Sequence, residues 1–435
     1  MALKNSLPPS SPTRRGRLIL FAMALLAGPA LAANSNLTWK ADLTLKETYD
    51  DNVYLQDTAP GVPGAVPARK DSWVTTITPH LALADKVCSV FNVSLSYAPD
   101  IVTYHNAPSE DYFAHRAGVT LGGNADKLVW EQVNSFIYID GNHLGPTFAR
   151  PQDVPPIGGI PLRDRRDAFI YRGGFKLTYT LDRFFLRPVA SAYVHDFKTL
   201  QQTLAAPLVY ENYISRQDVN GGLDVGYDVG KKTFLILGYR YGRQDQYKLL
   251  GVDSPFHSAY HRILFGVEGS PVPWLKLAAL GGPEIRTWAD GTPAGFDRNR
   301  QLYWVDATAT VLPDKNDTVT LLFRRFEQPA FSSQSVYEDI TYSTTWKHKF
   351  NDHWAASAGF QLYIGHWQAP VNRDDWIYTP SAGLTYTYNK HLSAELSWSS
   401  DLVDNKTSTS APGATFADGR EYSRDLASLA VTCSY

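Results

Sequence analysis

His391-Leu-Ser-Ala-Glu-Leu-Ser-Trp-Ser399 alternates without a slip: Leu392, Ala394, Leu396 and Trp398 fall on one face, Ser393, Glu395, Ser397 and Ser399 on the other. Side chains point to opposite sides of a pleated strand in turn, so a period of two means strand and excludes the longer period of a helix. The same split separates Phe91, Val93, Leu95 and Tyr97 from Asn92, Ser94 and Ser96. It separates Tyr303, Val305, Ala307, Ala309 and Val311 from Trp304, Asp306, Thr308 and Thr310. It also separates Ile340, Tyr342, Thr344 and Trp346 from Asp339, Thr341, Ser343, Thr345 and Lys347. Such segments run from Leu37 to Tyr435, each roughly 10 to 14 residues long, and a tilted strand of about 9 to 11 residues spans a bilayer core.

The links between segments alternate as well. Short ones carry turn residues, at Asp85-Lys86, Asn124-Ala-Asp126, Asp182-Arg183, Gly230-Lys231, Ser270-Pro-Val-Pro273, Asp314-Lys-Asn-Asp317, Asn351-Asp352 and Asn389-Lys390. Long Pro- and Gly-rich ones lie near residues 50–72, 142–165, 197–213, 247–257, 288–299 and 404–420. Periplasmic turns and extracellular loops give this pattern in an all-β, antiparallel, up-and-down transmembrane barrel. Counting segments predicts about 18 strands, and an even count leaves both termini in the periplasm. A soluble propeller or tandem sandwich predicts aliphatic core faces instead. Here the apolar runs begin and end in aromatics, as with Trp39 and Tyr49, Trp376 and Tyr388, and Tyr337 and Trp346, which fits two membrane interfaces. Leu429, Val431 and the terminal Tyr435 keep the period to the last residue. An aromatic there is the usual sorting feature of outer-membrane barrels, so outer-membrane lipid and the barrel assembly machinery are the expected partners.

Composition supports this reading. Aromatics make up 13% of the 435 residues, with 25 Tyr and 11 Trp against 2 Met and 2 Cys, which is unlike a chain of two or three soluble domains. The mean hydropathy of -0.26 looks soluble, but a barrel strand is apolar only at every second residue and escapes that average. A formal net charge of -2 excludes the broad positive field of a nucleic-acid-binding protein. Arg14, Arg15 and Arg17, the apolar run Leu18 to Ala27, and Ala30-Leu31-Ala32 read as a cleaved signal peptide over 1–32, with the barrel over 33–435. The run is shorter than the about 20 residues a membrane anchor needs. Arg17 and Leu18 stand where a twin-arginine signal wants a large apolar residue first, which favours Sec-type export to the outer membrane of a Gram-negative bacterium. Exported cysteines invite a disulfide. Cys88 is expected to face inward at the start of the third strand and Cys433 outward at the end of the last, about 14 Å apart, beyond the about 7 Å that a bond allows.

The polar face defines a lumen. Parity points Lys40, Asp42, Lys46, Arg116, Arg172, Lys176, Asp224, Asp228, Arg240, Arg262, Glu268, Lys276, Glu284, Arg286, Asp306, Asp339, Lys347 and Glu395 inward. Cations exceed anions modestly. They either guide an acidic polymer weakly or pair with opposite charges across strands as a solvated wall, and the second reading is favoured. Trp304, Trp130 and Tyr138 also receive lumen parity, as candidates for stacking on sugar rings, although interface belts explain most aromatics here.

No catalytic pattern emerges, so no enzyme, cofactor or metal is expected. G-x-S-x-G, H-E-x-x-H and Cys/His metal spacings are absent. His195 and Asp196 are adjacent on a strand and point opposite ways, and His257 and His261 would lie about 13 Å apart, too far to share a metal. Asp50-Asp51-Asn52 clusters oxygens without the spacing of a calcium loop.

Three stretches carry a family resemblance. Glu47-Thr-Tyr-Asp-Asp-Asn-Val-Tyr-Leu55 resembles the opening motif of a group of proteobacterial outer-membrane β-barrel porins associated with exopolysaccharide clusters, the EpsL/VpsM type. Asp71-Ser-Trp-Val-Thr-Thr-Ile-Thr-Pro-His-Leu-Ala-Leu83 is similar to that group's second strand, and Tyr422 to Tyr435 resembles its closing strand, where Phe more often stands last. The resemblance implies an 18-stranded conduit for secreted polysaccharide, working with a periplasmic export protein. A general or solute-selective diffusion porin and a plugged structural or adhesive barrel are the alternatives. The 142–165 segment, with Pro151, Pro155, Pro156 and Pro161, is the candidate for an inward constricting loop.

Overall fold

The alternating segments are strands, and the hydrogen bonds between them close into a ring. The protein is described here from a computed structural model, covering residues 37–435 except 54, 56–68, 89, 143–165, 199–200, 202–212, 231, 332–333, 371 and 408–421. The expected leader at 1–32 and the 142–165 constriction fall outside the described residues, apart from Asn142 itself. In chain order the strands are β1 (Leu37–Asp50), β2 (Ser72–Cys88), β3 (Phe91–Tyr97), β4 (Asp100–Tyr104), β5 (Tyr112–Ala125), β6 (Leu128–Asn142) and β7 (Arg166–Leu181). They continue with β8 (Phe184–Phe197), β9 (Arg216–Gly230), β10 (Thr233–Gln246), β11 (Ser258–Val272), β12 (Leu275–Trp288) and β13 (Asn299–Val311). The last six are β14 (Asp317–Pro329), β15 (Val336–Lys349), β16 (Trp354–Trp367), β17 (Arg373–Asn389), β18 (Leu392–Thr407) and β19 (Tyr422–Ser434).

Neighbours pair antiparallel throughout, and β1 pairs with β19 from Asp42↔Ser434 to Asp50↔Leu426. The 19 strands make 18 staves, because β3 and β4 both lie between β2 and β5. Pro99 explains the break between them: it has no N–H to donate to the ladder and a fixed φ. Closure satisfies strand edges that lipid could not, which is why a ring and not an open sheet can stand in a bilayer. Tight turns join the strands at one rim, with Asp126 and Asp182 at positive φ, a conformation Asp tolerates in two-residue hairpin turns.

Leu43, Leu45, Leu235, Leu237, Ile263 and Phe265 are exposed on the outside, on the face that excludes Lys46, Arg240 and Arg262. Aromatics ring both rims. At the short-turn end Trp39 meets Tyr435 and Phe184 meets Tyr227, with ring centroids 5.4 and 5.0 Å apart. At the other end Tyr49 meets Trp73 at 5.4 Å, and Phe136 packs on Tyr171 at 5.2 Å midway along the outer wall. An apolar wall between two aromatic girdles is the outer surface of a membrane-spanning barrel, and it places the chain in the outer membrane of a Gram-negative bacterium.

Four expectations need correction. Trp130 stacks on Phe91 at 5.8 Å, and Tyr138 lies opposite His115 and Phe169, so both face lipid and not the lumen. Tyr337 is fully buried inside the barrel, on the face opposite Trp346. Cys88 ends β2 and lies opposite outward-facing Phe91, because the ladder slips between Asp85 and Cys88 and carries the turn past Asp85-Lys86. Cys88 and Cys433 are exposed free thiols on strands that flank β1.

Candidate functional site in the lumen

Register places every charged lumen candidate on the inner face, and most have partners. Lys40 and His80 both reach Asp42, each at 3.0 Å. Arg116 pairs with Asp100, Lys176 with Glu131 at 2.8 Å, and Asp306 with Arg324 at 3.4 Å. Asp228 accepts the Gly230 N–H at 2.7 Å. Lys46 and Glu395 share a recess with Ser357, Ser381, Ser397 and Ser428. Lys347 sits between Thr318 and Ser357, and Lys276 opposite Thr310. The inner wall is therefore two-sided. From β14 round to β1 it is rich in hydroxyls, whereas from β7 to β13 it is dominated by arginines and carboxylates.

The charged side is a ladder of shared acids. Arg187 donates to Asp224 at 3.1 Å and to Glu268 at 2.8 Å, and Arg240 lies 2.7 Å from the other Asp224 oxygen. Arg262 and Arg286 share Glu284, with Arg286 Nη2 at 2.6 Å. The Tyr260 ring lies between those two guanidiniums, at 4.0 and 4.9 Å, and Arg262 also covers Trp304 at 5.2 Å. Tyr260 donates its hydroxyl to Asp218 at 2.7 Å. Arg172 lies over the Tyr193 ring, 5.8 Å from its centroid. Stacked, bidentate guanidiniums are held more rigidly than ammonium groups would be, so this wall presents fixed donors.

One element bends into the lumen. β12 and β13 pair along their whole length, from Leu275↔Val311 to Thr287↔Asn299, but β13 and β14 pair only from Val311↔Val319 to Val305↔Arg325. Beyond Arg325, β14 parts from β13 and bends inward, still paired with β15 to Pro329↔Val336, while β15 keeps its ladder with β16 to Tyr337↔Trp367. Residues Phe326 to Phe331 are buried in succession, on both strand faces, as a hairpin with protein on either side must be.

The hairpin docks on the inner faces of β9 to β13. Gln244 donates to the Glu327 carbonyl at 3.1 Å, Gln246 to the Ala330 carbonyl at 2.7 Å, and Arg216 to the Pro329 carbonyl at 2.6 Å. Arg300 reaches the Glu327 carboxylate at 2.8 Å, and the Ile214 N–H meets the Phe331 carbonyl at 2.6 Å. Val336 joins Phe256, Trp288, Phe296 and Leu302 in an apolar cluster above. Asp339, a lumen candidate, lies at the hairpin's base, 3.4 Å from the Gln328 amide and 3.3 Å from the Thr341 hydroxyl.

Sequence reasoning missed Arg216, Asp218, Gln244, Gln246 and Glu327. Extending the parity of Asp224 and Arg240 along β9 and β10 would have placed the first four inside. Glu327 has outward parity, and it reaches the lumen only because β14 leaves the wall. Among the described residues no group of His, Cys, Asp and Glu is arranged to hold a metal ion.

No family model and no curated protein matches the chain. Among solved structures it is similar to the outer membrane protein OpdK of Pseudomonas aeruginosa, at 12% identity over 92% of this chain and 98% of that one, with a TM-score of 0.43. It is similar to OpdF of Pseudomonas aeruginosa in complex with glucuronate, at 12% identity, 91% and 97% coverage and a TM-score of 0.43. A third is the siderophore receptor PiuA of Acinetobacter baumannii, at 10% identity, 92% and 82% coverage and a TM-score of 0.45. The class, an 18-stranded outer-membrane β-barrel, rests on the closed ladder and the aromatic-rimmed wall described above.

Proposed function

We propose that this barrel is a diffusion channel selective for small polar solutes. The observation that carries the reading is the β14–β15 hairpin tip, which bends into the lumen and is hydrogen-bonded to the inner faces of β9 and β10. A ring of this strand number has a backbone diameter of roughly 35 Å, and side chains leave about 20 to 25 Å. A hairpin is about 10 Å thick with its side chains, so its docking removes near half of that width. The remaining passage lies between the docked hairpin and the hydroxyl-rich wall, which suits hydrated polar solutes. No chemical step belongs to this reading. Its partners are lipid and the barrel assembly machinery.

The exopolysaccharide conduit rests on the resemblance in β1, β2 and β19 alone, and a narrowed lumen does not favour it. Proteoliposome swelling with a graded series of neutral oligosaccharides separates the two. The solute channel passes mono- and disaccharides and slows at least tenfold by the tetrasaccharide. A conduit shows no such cutoff, and equal rates across the series would reject the solute channel.

A further inference from the structure

The contact between the strands of the wall and the hairpin is one-sided in its chemistry, and among the described residues only at the tip does the hairpin donate, from Gln334 to the Val252 carbonyl at 3.3 Å. The wall gives donors: the Arg216, Arg286 and Arg300 guanidiniums and the Gln244 and Gln246 amides. The hairpin gives oxygens: the Glu327, Pro329 and Ala330 carbonyls and the Glu327 carboxylate. A surface of fixed donors met by a row of oxygens is the arrangement that receives an anionic solute.

Arg216 marks the centre of that surface. Arg262 and Arg286 have Glu284, Arg187 and Arg240 have Asp224, Arg300 has Glu327, and Arg424 has Asp50. Arg216 is 2% exposed, and its hydrogen bonds run to a neutral carbonyl and to the Tyr337 hydroxyl at 3.4 Å. Its Nε and Nη2 have no hydrogen-bond partner among the described residues. The Tyr193 and Phe331 rings flank it at 5.8 and 5.5 Å, and buried His195 lies opposite it across the β8–β9 ladder. A buried guanidinium with no acid and two idle donors on one edge among the described residues is costly, and a carboxylate fills that edge in bidentate fashion.

We propose that the inner wall under the hairpin is a carboxylate-binding site centred on Arg216, and that the hairpin occupies it as an internal substitute ligand. A carboxylate solute then competes with the Pro329 carbonyl for Arg216, so binding and displacement of the hairpin are one event. This inference rests on the solute-channel reading and goes beyond it by naming the solute's charged group and the element it displaces.

The test uses the full-length protein purified from outer membranes, in planar bilayers, with succinate as probe and erythritol as neutral control. In the wild type, succinate raises the mean current and erythritol does not. In Arg216→Gln and Arg216→Lys the half-maximal succinate concentration rises about tenfold or more, since charge alone cannot replace the guanidinium fork. The double variant Gln244→Ala/Gln246→Ala frees the hairpin, raises the current without succinate and flattens the response to it. Heat-modifiable migration on gels selects preparations that fold, and the double variant keeps the test open should Arg216 prove essential to folding. Conductance with no wild-type response to succinate, or an unchanged response in both Arg216 variants, overturns the site while the channel stands. Silence in every variant overturns the channel and the site with it.

Discussion

Arg424 shows how much one side chain can hold in this wall. It donates to both oxygens of Asp50, at 2.9 and 2.7 Å, with both side chains almost fully buried. Removing one member of such a pair leaves an unpaired buried charge, which costs about 3 to 5 kcal/mol. Arg424→Met is therefore expected to lower the midpoint of urea unfolding in lipid vesicles well beyond an exposed control such as Lys349→Met. Equal midpoints would show that water in the lumen compensates the loss. The pair was half legible in the sequence. Asp50 stands out only as part of the Asp50-Asp51-Asn52 oxygen cluster, and its partner lies 374 residues away, where no local pattern could find it. Most charges on the parity list were easier, as with Asp224 and Asp228, which sit in the clean alternation Leu223-Asp-Val-Gly-Tyr-Asp-Val229. Trp130 and Tyr138 were misplaced where β6 has polar and apolar residues on both faces, so period alone could not fix its register.

At the scale of elements, strand count and closure followed from alternation and link length, since a ring has no other way to satisfy its edges. The inward hairpin did not. The β14–β15 link is short, lacks the Gly- and Pro-rich composition of the other loops, and continues the strand pattern to Pro329. Its path depends on which neighbour β14 gives up, and that is a tertiary event with no sequence period. The consequence for β13 is measurable. Residues 299–304 pair with β12 on one side and have no β14 partner on the other. Their amides that point toward β14 should exchange with deuterium faster than those that point toward β12, by an order of magnitude or more. Uniform protection along β13 would mean that β14 returns to the wall in the membrane.

The whole molecule is an inside-out solid, apolar outside and polar within. Its tolerance of charge should follow that division and not burial. Leu237 lies exposed on the lipid face of β10, and Thr308 on the inner face of β13. Leu237→Arg is expected to cost roughly 2 to 4 kcal/mol, as a charge near the bilayer midplane does, while Thr308→Arg changes stability by under about 1 kcal/mol. Urea titration in vesicles reads both, and a larger loss at Thr308 would contradict the assigned inside and outside.

The Asp50–Arg424 clasp also bears on the order of events in folding. It joins the first strand to the last, so it cannot form until every intervening hairpin is in place, and the rate of reaching that point is set by contacts of great sequence separation. Such a contact belongs to the late side of the barrier. Breaking it should leave the insertion rate nearly unchanged and speed the opening of the finished barrel, so the clasp governs the barrel's lifetime in the membrane more than its rate of arrival there.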